Sequence, residues 1–197
     1  PQPGTWFRTV DVGGTERAIP VDLLAPETLI EPSGRRGVRI PPHDRLAVRR
    51  VPGIEVCVED HDLMEVSSLE PQVDPRTVSV RVAGPVALMV AKAFKIRDRV
   101  GSGKPERLSN KDASDVYRLM LATDPYDVAD SFTRLLTSPR VGQVTREGLD
   151  LLVEQFGAPR GVGVTMASQA LERALAAEEI RRTAPAYVAA LASVAHD

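Results

Sequence analysis

The chain has 197 residues, 43% of them hydrophobic, and a formal net charge of −2. That apolar content supports a core and excludes a wholly disordered chain, while the charge balance excludes a polycation. No stretch reaches the roughly 20 apolar residues of a membrane helix, and a single cysteine, Cys57, excludes an internal disulfide framework.

One cysteine also fits a reducing, cytoplasmic setting. Cys57 lies in the apolar run Ile54–Val58 and reads as an inert small side chain. His43, His61 and His196 are not spaced as metal ligands. The chain opens with Pro1-Gln2-Pro3-Gly4, without an initiator Met or a visible signal peptide, and a preceding segment is expected.

Up to Val82 the chain reads as strands and loops. Thr9–Val12, the Gly13-Gly14 pair and an extended run ending at Leu24 predict a hairpin with a glycine turn. Pro20 within that run predicts a late start or an edge position, because proline has no N–H for a ladder. Pro26, Pro32-Ser33-Gly34 and Pro41-Pro42 mark loops. Ile54–Val58 predicts a short strand. The alternation Thr77-Val78-Ser79-Val80-Arg81-Val82 predicts a half-buried one.

At Gly84-Pro85 the period changes. Val86–Val100 runs without Gly or Pro, behind a proline that a first helical turn tolerates, and predicts a helix. Gly101-Ser102-Gly103-Lys104-Pro105 ends it. Ser109-Asn110-Lys111-Asp112 has capping-box form, with Asp in place of Glu, and opens a helix to about Ala122. Further helices are predicted over Tyr126–Leu136, Thr145–Phe156, Thr165–Arg182 and Pro185–Ala195. The glycine-rich loop Gly157–Gly163 follows a helix rather than a strand, which makes it a weak phosphate cradle. The expected fold class is α+β: a small mixed β-sheet within residues 1–82, then an α-helical domain over 84–197.

Charge is segregated along the chain. Arg35, Arg36, Arg39, Arg45, Arg49 and Arg50 face one acid, Asp44, whereas Glu55 to Asp74 holds seven acids and no Lys or Arg. Two readings stay open: a basic phosphate-binding surface beside an acidic one, or two solvated loops. Aromatic residues are only 4%, which argues against a base-stacking platform.

Two places carry candidate chemistry. Asp22, flanked by Val21 and Leu23, either points into a cation-binding site or lies on the wet face of an edge strand. Lys92, Lys95 and Arg99 share one face of the first helix, as Asp112 and Asp115 do on the second. If the linker folds back, Lys92 and Asp115 can meet. The plain reading is an interhelical salt bridge, worth about 0–1 kcal/mol at a surface. Asp112 has a capping role available at Ser109, whereas Asp115 has none.

The string Lys92-Ala93-Phe94-Lys95-Ile96-Arg97-Asp98-Arg99, a linker, and Lys111-Asp112-Ala113-Ser114-Asp115-Val116-Tyr117-Arg118-Leu119 resembles the C-terminal signature of AbiEii-type nucleotidyltransferases. Val21-Asp22-Leu23-Leu24 resembles the strand that supplies the third metal-binding carboxylate in that fold. The resemblance implies the toxin half of a bacterial toxin–antitoxin or phage-defence pair, with a cognate antitoxin as partner. It implies transfer of a nucleotide from a nucleoside triphosphate to the acceptor end of tRNA, with Mg²⁺ as cofactor. Asp22 would be the metal ligand, Lys92 a phosphate contact with Lys95 and Arg99 beside it, and Asp112 or Asp115 would complete the catalytic set.

The family's opening Gly-Ser and Asp-x-Asp motifs do not occur here, and Gly13-Gly14 reads as a turn. Either about 60–90 residues carrying them precede Pro1, a length scaled from ordinary domains, or catalysis is lost. This chain alone is expected to be inactive. The alternative function is a non-catalytic module that binds nucleic acid or an acidic protein through the Arg35–Arg50 stretch.

Overall fold

Two units divide the chain, Pro1–Glu55 and Val56–Asp197, so the boundary falls after Glu55 rather than near residue 83. The computed structural model describes residues 3–30, 37–44, 46–103 and 110–194. Among them are seven strands in three small sheets and six α-helices, an α+β chain. The strands do not join into the single mixed sheet expected.

In the first unit β1 (Thr5–Val12) pairs antiparallel with β2 (Thr15–Asp22). Gly13 and Gly14 both have positive φ, 62° and 79°, the backbone of a type I′ turn that only glycine adopts without strain. Pro20 lies within β2, opposite Phe7. A ribbon of two strands leaves each with a free edge, so a missing N–H there breaks no second ladder. Next, β3 (Leu24–Pro26), β4 (Gly37–Val38) and β5 (Val48–Val51) form a sheet in the order β3-β5-β4, with β3 parallel and β4 antiparallel to β5. Its core is small, built on Ala25, Ala47 and Val48.

The predicted strand Ile54–Val58 is instead a 3-10 helix, Glu55–Val58. Periodicity over so few residues cannot separate the two forms. Local bonds decide it. The Glu55 carboxylate turns back to accept from Gly53 N at 2.7 Å and Thr28 N at 3.0 Å, and Asp60 N donates to Val56 O at 2.8 Å.

In the second unit β6 (His61–Ser67) pairs antiparallel with β7 (Thr77–Ala83). The alternation predicts a half-buried β7, yet Val78 and Val82 are exposed, as are Met64 and Val66 on the paired strand, Val66 directly opposite Val78. Alternation gives the ribbon an apolar face, but this two-stranded sheet leaves that face uncovered.

The helices follow. α1 (Pro85–Gly101) begins at Gly84, which has no capping side chain. Asp60 supplies the cap: its Oδ2 accepts from Ala87 N at 2.7 Å, and its backbone carbonyl accepts from Gly84 N at 2.9 Å. A Cβ on Gly84 would sit 2.5 Å from Asp60 Oδ1, so the carboxylate fits only against glycine. α2 (Lys111–Ala122) has Asn110 at its N-cap without a side-chain bond, and Ser109 of the expected capping box lies outside the described residues. α3 (Pro125–Leu136) is capped by Asp124, which accepts from Tyr126 N at 2.8 Å.

α4 (Gly142–Phe156) and α5 (Val162–Leu171) lead to α6 (Ala177–Val194). The break expected before Pro185 falls at residues 172–176, and Pro185 sits inside α6. Ile180, Ala184, Tyr187, Val188 and Leu191 form one buried stripe along α6. Keeping that stripe continuous outweighs the one hydrogen bond that proline removes. α1 packs on α2 and α4, α2 on α5, and α3 on α6, around a core that includes Met89, Tyr117, Phe132 and Phe156.

Asp60→Ala is expected to lower stability by roughly 1–2 kcal/mol, the range of a lost N-cap, and Asp60→Asn by less. Gly84→Ala is expected to destabilise as well by displacing the carboxylate. Urea titration of the three variants checks this, and equal midpoints in all of them would remove the cap from the account.

Candidate functional site

The site forms where α1 and α2 pack. Met89, Val90, Ala93, Phe94 and Ile96 bury one side of α1, while Ala113, Val116, Tyr117 and Met120 bury one side of α2. Those stripes leave Lys92, Lys95 and Arg99 along one flank, and Asp112 and Asp115 come up against it.

Lys92 Nζ donates to Asp112 Oδ1 at 2.9 Å and to Asp115 Oδ2 at 2.8 Å, so one ammonium ties the two helices together twice. Lys95 Nζ lies 3.3 Å from Asp112 Oδ1. Arg99 Nη1 lies 2.8 Å from Asp112 Oδ2, an ion contact without hydrogen-bond alignment. Arg118 Nη1 donates to Asp115 Oδ1 at 3.1 Å and to Ser114 Oγ at 3.2 Å. The Asp112 side chain is only 2% exposed, whereas Lys95 and Arg118 are 51% and 59% exposed. Four cations thus surround two carboxylates, and the outer rim of the cluster is positive.

Electrostatics follow from this geometry. Burial pushes the Asp112 carboxyl up, but Lys92, Lys95 and Arg99 outweigh it and hold the group below the usual carboxylate value. Burial likewise opposes the charge on Lys92, and the hydrogen bonds it donates to Asp115 and Asp112 overcome it and raise its pKa. Both groups are therefore held in their charged forms.

The fit to Mg²⁺ is poor in this cluster. Both oxygens of Asp112 and both of Asp115 already face cations, and a metal ion there would have to compete with those positive charges. Asp22, in the first unit, accepts from Thr5 Oγ1 at 2.7 Å and lies 3.6 Å from Arg49 Nη2. Among the described residues no group of three His, Cys, Asp or Glu is placed to hold a metal ion.

The basic stretch is divided by the fold. Arg49 and Arg50 are partly buried neighbours on β5, Arg39 is exposed, and Arg35, Arg36 and Arg45 lie outside the described residues. Of the acids between residues 55 and 74, Glu55 and Asp60 are buried structural acceptors, and Glu59 accepts from Ser138 Oγ at 2.9 Å. Glu55 and Asp60 do not contribute to an acidic surface.

Arg118 was absent from the sequence expectations. Its position three residues after Asp115 on one helix was the available signal. No protein-family model, curated protein or solved structure matches the chain.

A depressed carboxylate pKa contributes stability that is complete above the unfolded value of about 3.9 and is lost as pH falls through the folded value. Asp112→Asn is expected to destabilise strongly at neutral pH, on the order of 3–5 kcal/mol for a broken buried pair, with the gap to the parent narrowing below about pH 4. Thermal unfolding of both proteins from pH 7 to pH 2 measures it. A gap independent of pH would mean that the charge of Asp112 is not what matters.

Proposed function

We propose that the helical unit is the phosphate-binding part of a nucleotidyltransferase-type toxin, one of a toxin–antitoxin or phage-defence pair. It transfers a nucleotide from a nucleoside triphosphate to an RNA acceptor end of tRNA type. The observation that carries this reading is the Lys92 ammonium held between Asp112 and Asp115, with Lys95, Arg99 and Arg118 converging on the same carboxylates.

The chemistry asks for that arrangement. A triphosphate brings several negative charges that develop further as the phosphoryl bond breaks, and fixed cations stabilise them without reorganising. Asp112 and Asp115 act as positioning residues: they hold Lys92 and Arg99 in place before any substrate arrives. Lys95 and Arg118, the more exposed cations, are the ones that meet phosphate first. Lys92 has a third N–H to offer, since two are taken by the carboxylates. Mg²⁺, which such a transfer uses, belongs on carboxylates other than Asp112 and Asp115.

The decisive assay uses the longest available gene product, Mg²⁺, labelled nucleoside triphosphates and total tRNA. Label is expected on tRNA, with activity lowered at least tenfold in Lys95→Ala, a half-exposed position, and abolished in Lys92→Ala, with a melting curve confirming that each variant is folded. Folded protein that transfers no label from any triphosphate would sink the proposal.

A further inference from the structure

The second unit carries another basic feature, separate from the Lys92 cluster. Where the loop after α4 enters α5, Pro159, Arg160, Thr165, Glu178, Arg181 and Arg182 line an open groove of about 660 Å³. Three guanidinium groups face one carboxylate there. Arg181 contacts Glu178 at 3.4 Å, and among the described residues neither Arg160 nor Arg182 has an ion-pair partner. All three arginines are exposed, and Arg160 and Arg182 carry positive charge that no carboxylate among the described residues pairs.

We propose that this groove holds the phosphodiester backbone of a nucleic-acid strand. Guanidinium forks match phosphate oxygens bidentately, and three of them in one open groove suit a polyanion better than an enclosed small molecule. No aromatic side chain lines the groove, so it grips phosphates and not bases. The second unit also has its other cationic site at a polymer's distance. Asn110, at the start of α2 beside Asp112, bonds Gln169 near the end of α5 at 2.9 Å. Arg160 precedes the start of that same ten-residue helix. Helical rise from Val162 to Gln169 therefore separates the two places by about 10 Å, a span that an extended strand bridges and a single phosphate does not. This extends the reading above by giving the acceptor strand its own seat, but its test needs neither Mg²⁺ nor a nucleoside triphosphate.

The experiment is fluorescence anisotropy of the full chain with a 20-nucleotide single-stranded RNA, and with DNA of the same sequence, across a salt series. Arg160→Ala with Arg182→Ala is expected to weaken both probes about tenfold or more and to reduce the log–log salt slope by about 1.4, at roughly 0.7 per phosphate contact. The paired Arg→Lys substitutions should keep most of the slope, because they keep the charge. Glu178→Gln is expected to tighten binding, a gain that no folding defect produces. Unchanged affinity and slope in the double alanine variant, with its melting curve intact, overturns the proposal. So does a phosphorylated peptide that depends on these arginines when RNA and DNA do not. Loss of nucleotide transfer with RNA binding retained would overturn the proposed activity and leave the groove standing.

Discussion

Within the helical unit, the constraint on which the candidate site depends is the buried carboxylate of Asp112. Removing water from a carboxylate is strongly unfavourable unless opposite charges replace the lost solvation. Lys92, Lys95 and Arg99 do so from a single flank of α1. That requirement sets how α2 lies on α1: Asp112 can be buried only where the three cations converge. Once it is met, Asp115 falls within reach of the same ammonium, and Arg118 follows one turn later on the same helix. The positive rim of the cluster is thus a by-product of how one negative charge is housed.

Inward-turned acids also cluster between residues 55 and 60. Glu55 gathers Gly53 and Thr28, Asp60 closes the first turn of α1, and Glu59 holds Ser138. As a string, residues 55–74 read either as an acidic surface or as a solvated loop, because composition counts charges without showing where they point. Each of these carboxylates instead meets backbone amides or a hydroxyl that the sequence brings near only after folding. Neutral donors of this kind leave no charge pattern to read. The ion-paired acids differ, since their cationic partners recur at helical spacing.

That contrast explains how much of the site was legible. Lys92, Lys95 and Arg99 at helical intervals, with Asp112 and Asp115 on the next helix, were visible as two facing charge stripes, and the fold brings them together. The direction of their pairing was not visible: every oxygen of the two carboxylates faces a cation of the same cluster. The Arg160, Arg181 and Arg182 groove was illegible because its members come from a loop and from a helix beyond another helix. Nothing in linear spacing links them.

By itself the sequence determined the local geometry. Two glycines with no Cβ made the hairpin turn, proline marked the first turns of α1 and α3, and apolar residues at helical intervals set α1 to α4 close to their observed bounds. These are short-range effects of sterics and periodicity. Tertiary structure alone decided the rest: that the strands separate into three small sheets, that Glu55–Val58 coils instead of extending, and that α6 continues through Pro185. At α6 the local preference of Pro185 competed with burial, and at Glu55 an extended form competed with hydrogen bonds from Gly53 nearby and Thr28 far along the chain. The partner or the buried stripe won because an unmet buried group costs more than an unfavourable local conformation.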